Sequence, residues 1–351
     1  MLSRVRIAVI GAGVIGRTHL ETIEKCEDLQ LAAIVDPNKA SKEIAVEKGV
    51  PWFQDVAELI DGEITDAAIV ASPNDTHVSI SSKLMKSGIP VLLEKPVSNT
   101  AEFGRELLSL EKSTGVPILI GHHRRHNPII KAAKAAIEEG MVGKLVVATV
   151  MSAFYKPRSY FETPWRKTAG QGGPLLINLI HEIDLLRHFW GEVIEVNAIT
   201  SHQQRGLDVE DTAVAILKFS EGGIASLALT DAGASPWAWD VSAGENLGRF
   251  PVHESYSHAY SCTNAALSIP DLSLWRYPES PDWTTQMRNS KLAYVTADPY
   301  VEQLKHFRKL ILGESKPIVT CLDGLNNMLV IEAIKKSAET GQKVTIDHWN
   351  N

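Results

Sequence analysis

The sequence predicts an α/β protein in which a doubly wound parallel sheet is followed by an α+β domain with an open, mostly antiparallel sheet. Strand and helix patterns alternate over the first 120 residues, whereas several strand patterns follow one another without helices in the second half. A chain of 351 residues is long enough for about two domains of roughly 100–200 residues each. We therefore expect residues 1–122 to form the first domain and residues 123–351 the second.

The N-terminal elements follow from their apolar patterns. Continuous Val, Ile and Leu runs are typical of strands covered on both faces, and strand–helix repetition indicates a parallel sheet. The predicted strands are 6–10, 31–36, 66–72, 90–95 and 117–121, and the predicted helices are 14–25, 38–48, 75–87 and 100–113.

After Gly121 the pattern changes to that of an α+β domain. Two strand patterns flank the turn sequence EGG, which predicts a hairpin, and neighbouring strands without an intervening helix indicate antiparallel pairing. Residues 232–298 give no clear pattern and receive no elements. The predicted strands are 144–155, 192–201, 211–220 and 223–231, and the predicted helices are 128–140, 177–191, 299–312 and 323–340.

Composition and charge argue against several classes of function. The net charge is −7 with scattered lysines and arginines, so the sequence offers no basic stripe for nucleic acid or an anionic membrane. No segment has the roughly 20 apolar residues of a membrane span, and the N-terminal apolar run is too short and glycine-broken for a signal peptide. Cys26, Cys262 and Cys321 are far apart, which favours a reducing compartment over a disulfide framework. We expect a cytoplasmic protein with no nucleic-acid or membrane partner.

The stretch GAGVIG follows the first predicted strand and begins a helix, which is the pattern of a Rossmann dinucleotide-binding turn. Gly11 permits the tight turn, Gly13 lets backbone amides approach a pyrophosphate, and Gly16 allows close helix–sheet packing. The helix N-terminus, including Val14 and Ile15, then faces the anion.

The second predicted strand ends at Asp36, followed by Pro37, at the spacing expected for a ribose-binding carboxylate. A carboxylate there repels a 2′-phosphate, so NAD is the preferred cofactor. Asn38 and Lys39, which are able to contact a phosphate, leave NADP as the alternative.

Two further stretches follow predicted strands at the edge of the sheet where ligands bind. Ser72, Pro73 and Asn74 are predicted to contact the cofactor, and His77 in the next helix is assigned to the same edge. In the sequence LLEKP, Glu94 is assigned to the cofactor site and Lys95 is placed by rigid structure at a strand end. A partly desolvated lysine has a lowered pKa and exchanges a proton with a substrate hydroxyl.

The stretch GHHRRHNP follows the last predicted parallel strand. Its three histidines lack a nearby carboxylate, and two of them alternate sides if the strand continues, so a metal site is not expected. We assign His123 and Arg124 to the substrate site instead.

Together these motifs resemble the Gfo/Idh/MocA oxidoreductases. The resemblance covers most of the chain and rests on GAGVIG, EKP, GHHRRHNP, PWRKTAGQGGP and INLIHEIDLLRHFWG. It implies an NAD(P)-dependent dehydrogenase or reductase for sugars, inositols or related polyols. It also implies a second domain whose sheet commonly mediates oligomerisation, so we expect a homo-oligomer, either a dimer or a tetramer. We assign the subunit contact to the sheet face that carries Ala215, Leu217 and Phe219.

The resemblance also implies roles for individual residues. The EKP lysine and a histidine on the helix after the glycine-rich break are catalytic in the family, which points to Lys95 and His181. Many inositol dehydrogenase-like members have an Asp four residues before that histidine, where this chain has Ile177. Asn178 shares a helix face with His181 and orients a hydroxyl, but an amide cannot act as a base. The remaining assignments are Lys156 and Trp165 to the substrate, together with Asn178 and His181, and Arg166 to the cofactor.

The predicted activity is therefore hydride transfer between NAD(P) and a CH–OH carbon of a sugar or cyclic polyol, with Lys95 and His181 handling the proton. One alternative is a cofactor-binding regulator of the same fold without turnover. Another is a metal site made of His181, Asp184 and His188 at helical spacing. The sequence HEIDL departs from HExxH at its last position, so no metal is expected.

Overall fold

The structure, a computed structural model, describes residues 4–348 and contains two compact units. Unit 1 contains the chain as far as His126 together with Asp298–Met328. Unit 2 contains Asn127–Ala297 and the residues from Leu329 onward. The first unit therefore includes a segment that the sequence analysis assigned to the second domain.

Unit 1 is built on a six-stranded parallel sheet with the order β3-β2-β1-β4-β5-β6. Its strands are β1 (Val5–Ile10), β2 (Leu29–Val35), β3 (Trp52–Phe53), β4 (Ala67–Val70), β5 (Val91–Leu93) and β6 (Ile118–Ile120). Its helices are α1 (Val14–Glu24), α2 (Ser41–Lys48), α3 (Val56–Asp61), α4 (His77–Lys86), α5 (Ala101–Thr114) and α9 (Pro299–Ile311). The doubly wound parallel sheet predicted from the sequence is confirmed.

Every residue of β4 and β5 is apolar and buried, because helices cover both faces of a doubly wound sheet. Strand order reverses between β1 and β4, and in open parallel sheets ligands bind at the carboxyl ends of the strands beside such a point. The GAGVIG, SPN and EKP stretches all begin at carboxyl ends of these strands. The sheet therefore brings all three to one edge of unit 1.

Unit 2 is built on a nine-stranded sheet with the order β14-β13-β12-β11-β7-β10-β9-β8-β15. Its strand pairs are antiparallel except for β7 with β10, which confirms the predicted mostly antiparallel sheet. The strands are β7 (Leu145–Ala153), β8 (Val193–Ser201), β9 (Thr212–Phe219), β10 (Ile224–Thr230), β11 (His258–Cys262), β12 (Ala266–Ile269), β13 (Ser273–Arg276), β14 (Arg288–Lys291) and β15 (Val344–Thr345).

The helices of unit 2 include a wide first turn that the sequence did not predict. Leu175–Leu179 forms a π-helical turn, and the α-helix continues from Ile180. Such turns are frequent at functional sites. The helices of this unit are α6 (Pro128–Glu138), α7 (Ile180–Trp190) and α8 (Trp239–Ser242), and α10 (Cys321–Thr340) contributes residues to both units.

The two faces of β9 differ in burial. Ala215, Leu217 and Phe219 are at most 1% exposed and belong to the core of unit 2. The prediction that these residues contact another subunit is therefore wrong, because strand alternation turns them inward. The opposite face presents Val214 and Ile216, which are exposed.

Candidate active site

The glycine-rich turn between β1 and α1 is shaped for close approach of a ligand. Gly11 has a φ of +91°, and a Cβ there would lie 2.6 Å from the carbonyl oxygen of Ala71. A Cβ on Gly16 would overlap the carbonyl oxygen of Gly11. A Cβ on Gly13, by contrast, would meet nothing within 4 Å. The turn therefore has no space for a side chain at Gly11 and Gly16, whereas the space next to Gly13 is open.

Helix α1 begins at this open position without a side-chain cap. Gly13 is its N-cap, and within the described chain no side chain accepts from the first turn and no acidic residue lies in it. The unpaired N–H groups and the helix dipole leave a positive end that suits a pyrophosphate. The residues present therefore fit a dinucleotide.

Asp36 follows β2 and is held against the same turn. Its Oδ2 accepts a hydrogen bond from the Ala12 N–H at 2.7 Å, and its Oδ1 accepts from the Asn38 N–H at 2.8 Å. These two bonds fix a carboxylate beside the glycine-rich turn, where a ribose-binding acid belongs.

His77 connects the loops after β4 and β5. Its Nδ1 lies 2.8 Å from the carbonyl oxygen of Pro96, and its Nε2 lies 3.0 Å from that of Ser72. Burial lowers the pKa of His77, and the two backbone carbonyls partly oppose that shift. The His77 side chain is only 1% exposed, so its role is to connect the loop at Ser72 with the loop at Pro96 inside unit 1. The Lys95–Pro96 peptide bond in the second loop is cis.

Glu94 is a buried carboxylate next to Lys95. Its Oε1 accepts from His19 Nε2 of α1 at 2.8 Å, and its Oε2 accepts from the Lys95 backbone N–H at 3.3 Å. Burial alone would raise the pKa of Glu94. The hydrogen bond and charge of His19, with the charges of His123 and Lys95, outweigh burial and lower the pKa. The ionised carboxylate thus ties Lys95 to α1.

Tyr300 of α9 supports this arrangement. The His123 ring stacks on the Tyr300 ring with centroids 4.4 Å apart, and the His19 ring meets the same tyrosine edge-on at 5.8 Å. The aromatic side chain thereby restrains two of the groups that act on Glu94. Nothing in the local sequence of α9 indicated this role.

The GHHRRHNP stretch is buried rather than displayed in solvent. Arg125 donates to the carbonyl oxygen of Ile318 and forms an ion pair with Asp323, both at 3.2 Å. His122 lies 3.1 Å from the side-chain nitrogen of Asn327. Arg124 is 2% exposed. Arg125 and His122 thus form contacts within unit 1.

Among residues 4–348 no group of three or more His, Cys, Asp or Glu side chains is arranged to hold a metal ion.

In unit 2, Asn178 lies in the π-helical turn Leu175–Leu179 and His181 lies in the first turn of α7. Their side chains are buried, with 7% and 6% of the surface exposed. Lys156 Nζ, from the segment after β7, donates to Asn178 Oδ1 at 2.6 Å. The same ammonium group lies 3.6 Å from Asp231 Oδ2. The structure therefore brings two of the predicted substrate residues, Lys156 and Asn178, into direct contact.

The segment that carries Trp165 and Arg166 packs on an aromatic ring. The Arg166 guanidinium lies 4.1 Å from the centre of the Tyr160 ring and donates to the Tyr160 carbonyl oxygen at 2.9 Å. Lys156 Nζ lies 4.8 Å from the same ring. Trp165 is 37% exposed. Tyr160 therefore links the predicted cofactor residue Arg166 to the Lys156–Asn178 pair.

Sequence reasoning missed several buried polar contacts. Asp231 and Arg205, whose Nε donates to Asp231 Oδ1 at 2.6 Å, were not singled out. Glu182, directly after His181, pairs with His258 at 3.1 Å, and both side chains are fully buried. These partners lie on strands and loops distant in sequence, so no local spacing indicates them. Arg187, on the same helix, forms an ion pair with Glu192 at 2.5 Å.

A sheet with the order 3-2-1-4-5-6 and a glycine-rich turn at an uncapped helix end define the class of dinucleotide-binding α/β proteins. Residues 5–122 match the model of an oxidoreductase family described as an NAD-binding Rossmann fold. Residues 134–346 match the C-terminal α/β domain of the same family. The chain belongs to the Gfo/Idh/MocA oxidoreductase family, and the predicted resemblance, with NAD as cofactor, is confirmed.

Relatives span essentially the whole chain. The chain is 26% identical over 361 residues to the scyllo-inositol 2-dehydrogenase (NAD(+)) of Bacillus subtilis, covering 99% of this chain and 98% of that protein. It is 28% identical over 358 residues to the myo-inositol 2-dehydrogenase of Thermotoga maritima, covering 97% and 98%. The WlbA dehydrogenase of Bordetella pertussis, solved with NADH and UDP-GlcNAcA, has the same fold, with a TM-score of 0.82 and 19% identity over 99% of each chain. No helix among residues 4–348 is long and apolar enough to cross a membrane.

Proposed function

We propose that this oxidoreductase transfers hydride reversibly between NAD and a CH–OH carbon of a sugar, a cyclic polyol or a related carbohydrate derivative. The observation that carries the proposal is the placement of Lys95. It follows β5 at the ligand-binding edge of the sheet, and its backbone is anchored to the buried Glu94–His19 pair. The names of the inositol dehydrogenase relatives support a polyol-type substrate.

In this proposal Lys95 and His181 handle the proton of the reacting hydroxyl. Both are nitrogen bases able to take or return a proton near neutral pH when burial tunes them. Asn178 has no titratable group, so it orients a substrate group, as do Arg124 and Lys156. Bound NAD supplies the hydride acceptor at its nicotinamide ring.

The preference for NAD over NADP rests on Asp36. Its carboxylate is fixed beside the glycine-rich turn by the Ala12 and Asn38 amides. A fixed negative charge there accepts from ribose hydroxyls and repels a 2′-phosphate. We further assign cofactor binding to residues 1–122 and substrate binding to residues 123–351. A cytoplasmic location fits three free cysteines.

A substrate screen tests the proposal. The purified protein is incubated with a panel of sugars, inositols and sugar acids, once with NAD and once with NADP, and the absorbance of the reduced cofactor is followed. We expect turnover of at least one panel member, with a higher kcat/KM for NAD than for NADP. Binding of NAD without turnover of any panel member would instead indicate the cofactor-binding regulator.

We also propose that two copies of the chain associate through the exposed face of the unit 2 sheet. Ile199 on β8 lies directly opposite Val214 on β9, and Ile224 on β10 lies opposite Val147 on β7. These side chains and Ile216 are between 38% and 74% exposed, and an apolar face of this kind is typical of subunit contacts.

Replacing Ile216 by lysine tests this association. The substitution places a charge in the centre of the proposed contact, so we expect the assembly to dissociate. Sedimentation velocity measures the change, and Val46→Lys on the exposed surface of α2 is the matched control. A monomeric wild-type protein, or an unchanged assembly in the Ile216 variant, would contradict the proposal.

A further inference from the structure

We infer that the loop between β8 and β9, residues 202–211, is a positioning element for the substrate site. It directs the Lys156 ammonium group onto Asn178 and so fixes the hydrogen-bond donor that Asn178 offers to a substrate. The inference rests on the proposed function, in which Lys156 and Asn178 bind the substrate. The loop contacts the Lys156 segment through Arg205 and the turn that carries Asn178 through Glu210. All of these residues belong to unit 2.

The contact with Lys156 decides which end of the Asn178 amide faces a ligand. An ammonium group has three donors and no acceptor, so the atom that faces Lys156 Nζ at 2.6 Å must be the amide oxygen. The amide nitrogen is then the end that donates to a substrate oxygen, whether that oxygen belongs to a hydroxyl or to a carboxylate. If the ammonium group moves away, the amide is able to turn over and its donor is no longer fixed.

Asp231 is the competing acceptor for the same ammonium group. Its Oδ2 lies 3.6 Å from Lys156 Nζ, which is longer than a hydrogen bond, whereas the Asn178 oxygen is at 2.6 Å. Arg205 holds the carboxylate at that distance. Its Nε donates to Asp231 Oδ1 at 2.6 Å, and its Nη2 donates to the Asp231 carbonyl oxygen. The arginine therefore leaves the short hydrogen bond of Lys156 to Asn178.

Arg205 also fixes the main chain that carries Lys156. Its Nη2 donates to the Lys156 carbonyl oxygen at 2.9 Å, and the Lys156 N–H donates to the Asp231 carbonyl oxygen at 2.8 Å. The guanidinium carbon lies 4.4 Å from the centre of the Phe161 ring and 5.4 Å from that of Tyr155, and the arginine side chain is 9% exposed. Because a planar guanidinium has a fixed fork of donors, one residue sets both the backbone and the nearby carboxylate of Lys156.

Glu210 acts from the other end of the loop on the turn that carries Asn178. Its Oε1 accepts from the Leu175 N–H at 2.9 Å, at the start of the π-helical turn Leu175–Leu179. A carboxylate at a helix N-terminus satisfies an otherwise unpaired N–H and complements the helix dipole. Space is tight there, since a Cβ on Gly173 would lie 2.5 Å from the same carboxylate oxygen. Glu210 therefore fixes the start of the turn.

The loop is held together between these two contacts. The Arg205 N–H donates to Asp211 Oδ2 at 2.9 Å, and the Asp211 N–H donates to the Ser201 carbonyl oxygen at 2.9 Å. The Asp231 N–H in turn donates to the Asp211 carbonyl oxygen at 3.1 Å. The two anchoring side chains are thus parts of one hydrogen-bonded loop, which sets both members of the substrate pair together.

The first test replaces Arg205 by methionine, which keeps an apolar stem on the aromatic rings and removes the charge and the donors. We expect the released Asp231 carboxylate to draw the ammonium group from Asn178. KM should rise by about tenfold, because one hydrogen bond to the substrate is no longer oriented, while kcat and NADH affinity stay within about twofold. The substrate is the compound with the highest kcat/KM among myo-inositol, scyllo-inositol, glucose and gluconate. Gln204→Met, at an exposed position of the same loop, is the matched control and should retain the wild-type KM.

A double-mutant cycle separates positioning from general support of the fold. Since Arg205 acts through Lys156 in this inference, Arg205→Met should change kcat/KM by less than about twofold in a Lys156→Met background. An equal loss of kcat/KM in both backgrounds would assign Arg205 a structural role only and overturn the inference. A wild-type KM in Arg205→Met would overturn it as well.

Glu210→Ala tests the second contact, and it decides the inference alone if Arg205→Met does not fold. Loss of the bond to Leu175 should raise KM by about three- to tenfold, whereas Glu210→Gln, which keeps an acceptor, should stay near the wild-type KM. In an Asn178→Ala background the same Glu210→Ala change should add less than about twofold. An unchanged KM in Glu210→Ala, or an equal rise in both backgrounds, would overturn the inference and leave the proposed function intact. Absence of wild-type turnover with every compound would overturn the proposed function, and this inference with it.

Discussion

Replacing Lys95 by alanine is expected to lower turnover by about 10²–10⁴-fold, the usual contribution of a positioned general acid or base. The affinity for NAD should remain nearly unchanged, because the groups that fit the pyrophosphate and ribose lie on the glycine-rich turn and Asp36. Steady-state kinetics with a substrate found in the screen, together with a fluorescence titration of NADH, measure the two quantities.

The matched control for this substitution is Lys83→Ala. Lys83 lies on α4 and is exposed, so its removal takes away a lysine without touching the strand ends. We expect wild-type turnover in the control. Turnover of Lys95→Ala within a few-fold of the control would show that Lys95 does not transfer the proton.

Adding a methyl group at Gly16 is expected to disturb both folding and cofactor binding. The new Cβ would overlap the backbone carbonyl oxygen of Gly11, which cannot move aside as a flexible side chain would. Overpacking of this kind costs about 1–3 kcal/mol and occasionally more. Urea unfolding measures the loss in the free energy of unfolding, and an NADH titration measures the loss of binding.

Gly13→Ala is the informative partner of Gly16→Ala. A Cβ on Gly13 meets no atom within 4 Å, so the stability loss should be at most about 1 kcal/mol, the cost of a poorer N-cap. The methyl group would nevertheless occupy the space that a pyrophosphate needs. We expect NADH affinity to fall by about tenfold, since a hydrogen bond to a charged group contributes about 1.5–3 kcal/mol. Wild-type affinity in Gly13→Ala would place the dinucleotide elsewhere.

The parts of the fold that the sequence predicted are those with strong local signals. Continuous apolar runs located five of the six parallel strands, and the missed one, β3, is only two residues long. The region 232–298 contains four strands, β11 to β14, which were not predicted. Each is four or five residues long, and each is specified by pairing within the sheet, a nonlocal contact that residue patterns do not show.

The candidate site divides in the same way. Gly11, Gly16 and Asp36 have a fixed sequence spacing because one turn holds them together, and the sequence indicated all three. Lys156 and Asp231 come from segments that only the tertiary fold brings together, and the charge of the pair gives no sequence signal. The side-chain oxygen of Asn178 faces Lys156 because Lys156 Nζ donates to it, and residue type alone could not reveal that orientation.

The composition of unit 1 has a consequence for the order of folding during synthesis. Asp298–Met328 supplies Tyr300 beside His19 and Asp323 beside Arg125, and its Val319 carbonyl accepts from the Ile120 N–H of β6. Domains usually fold N-terminal first on the ribosome. Here all six strands of the parallel sheet emerge early, but unit 1 stays incomplete until Asp298–Met328 has been translated. While all strands of the unit 2 sheet except β15 are being made, the dinucleotide-binding half therefore lacks the Tyr300 ring that packs against His19 and the Asp323 carboxylate that pairs with Arg125.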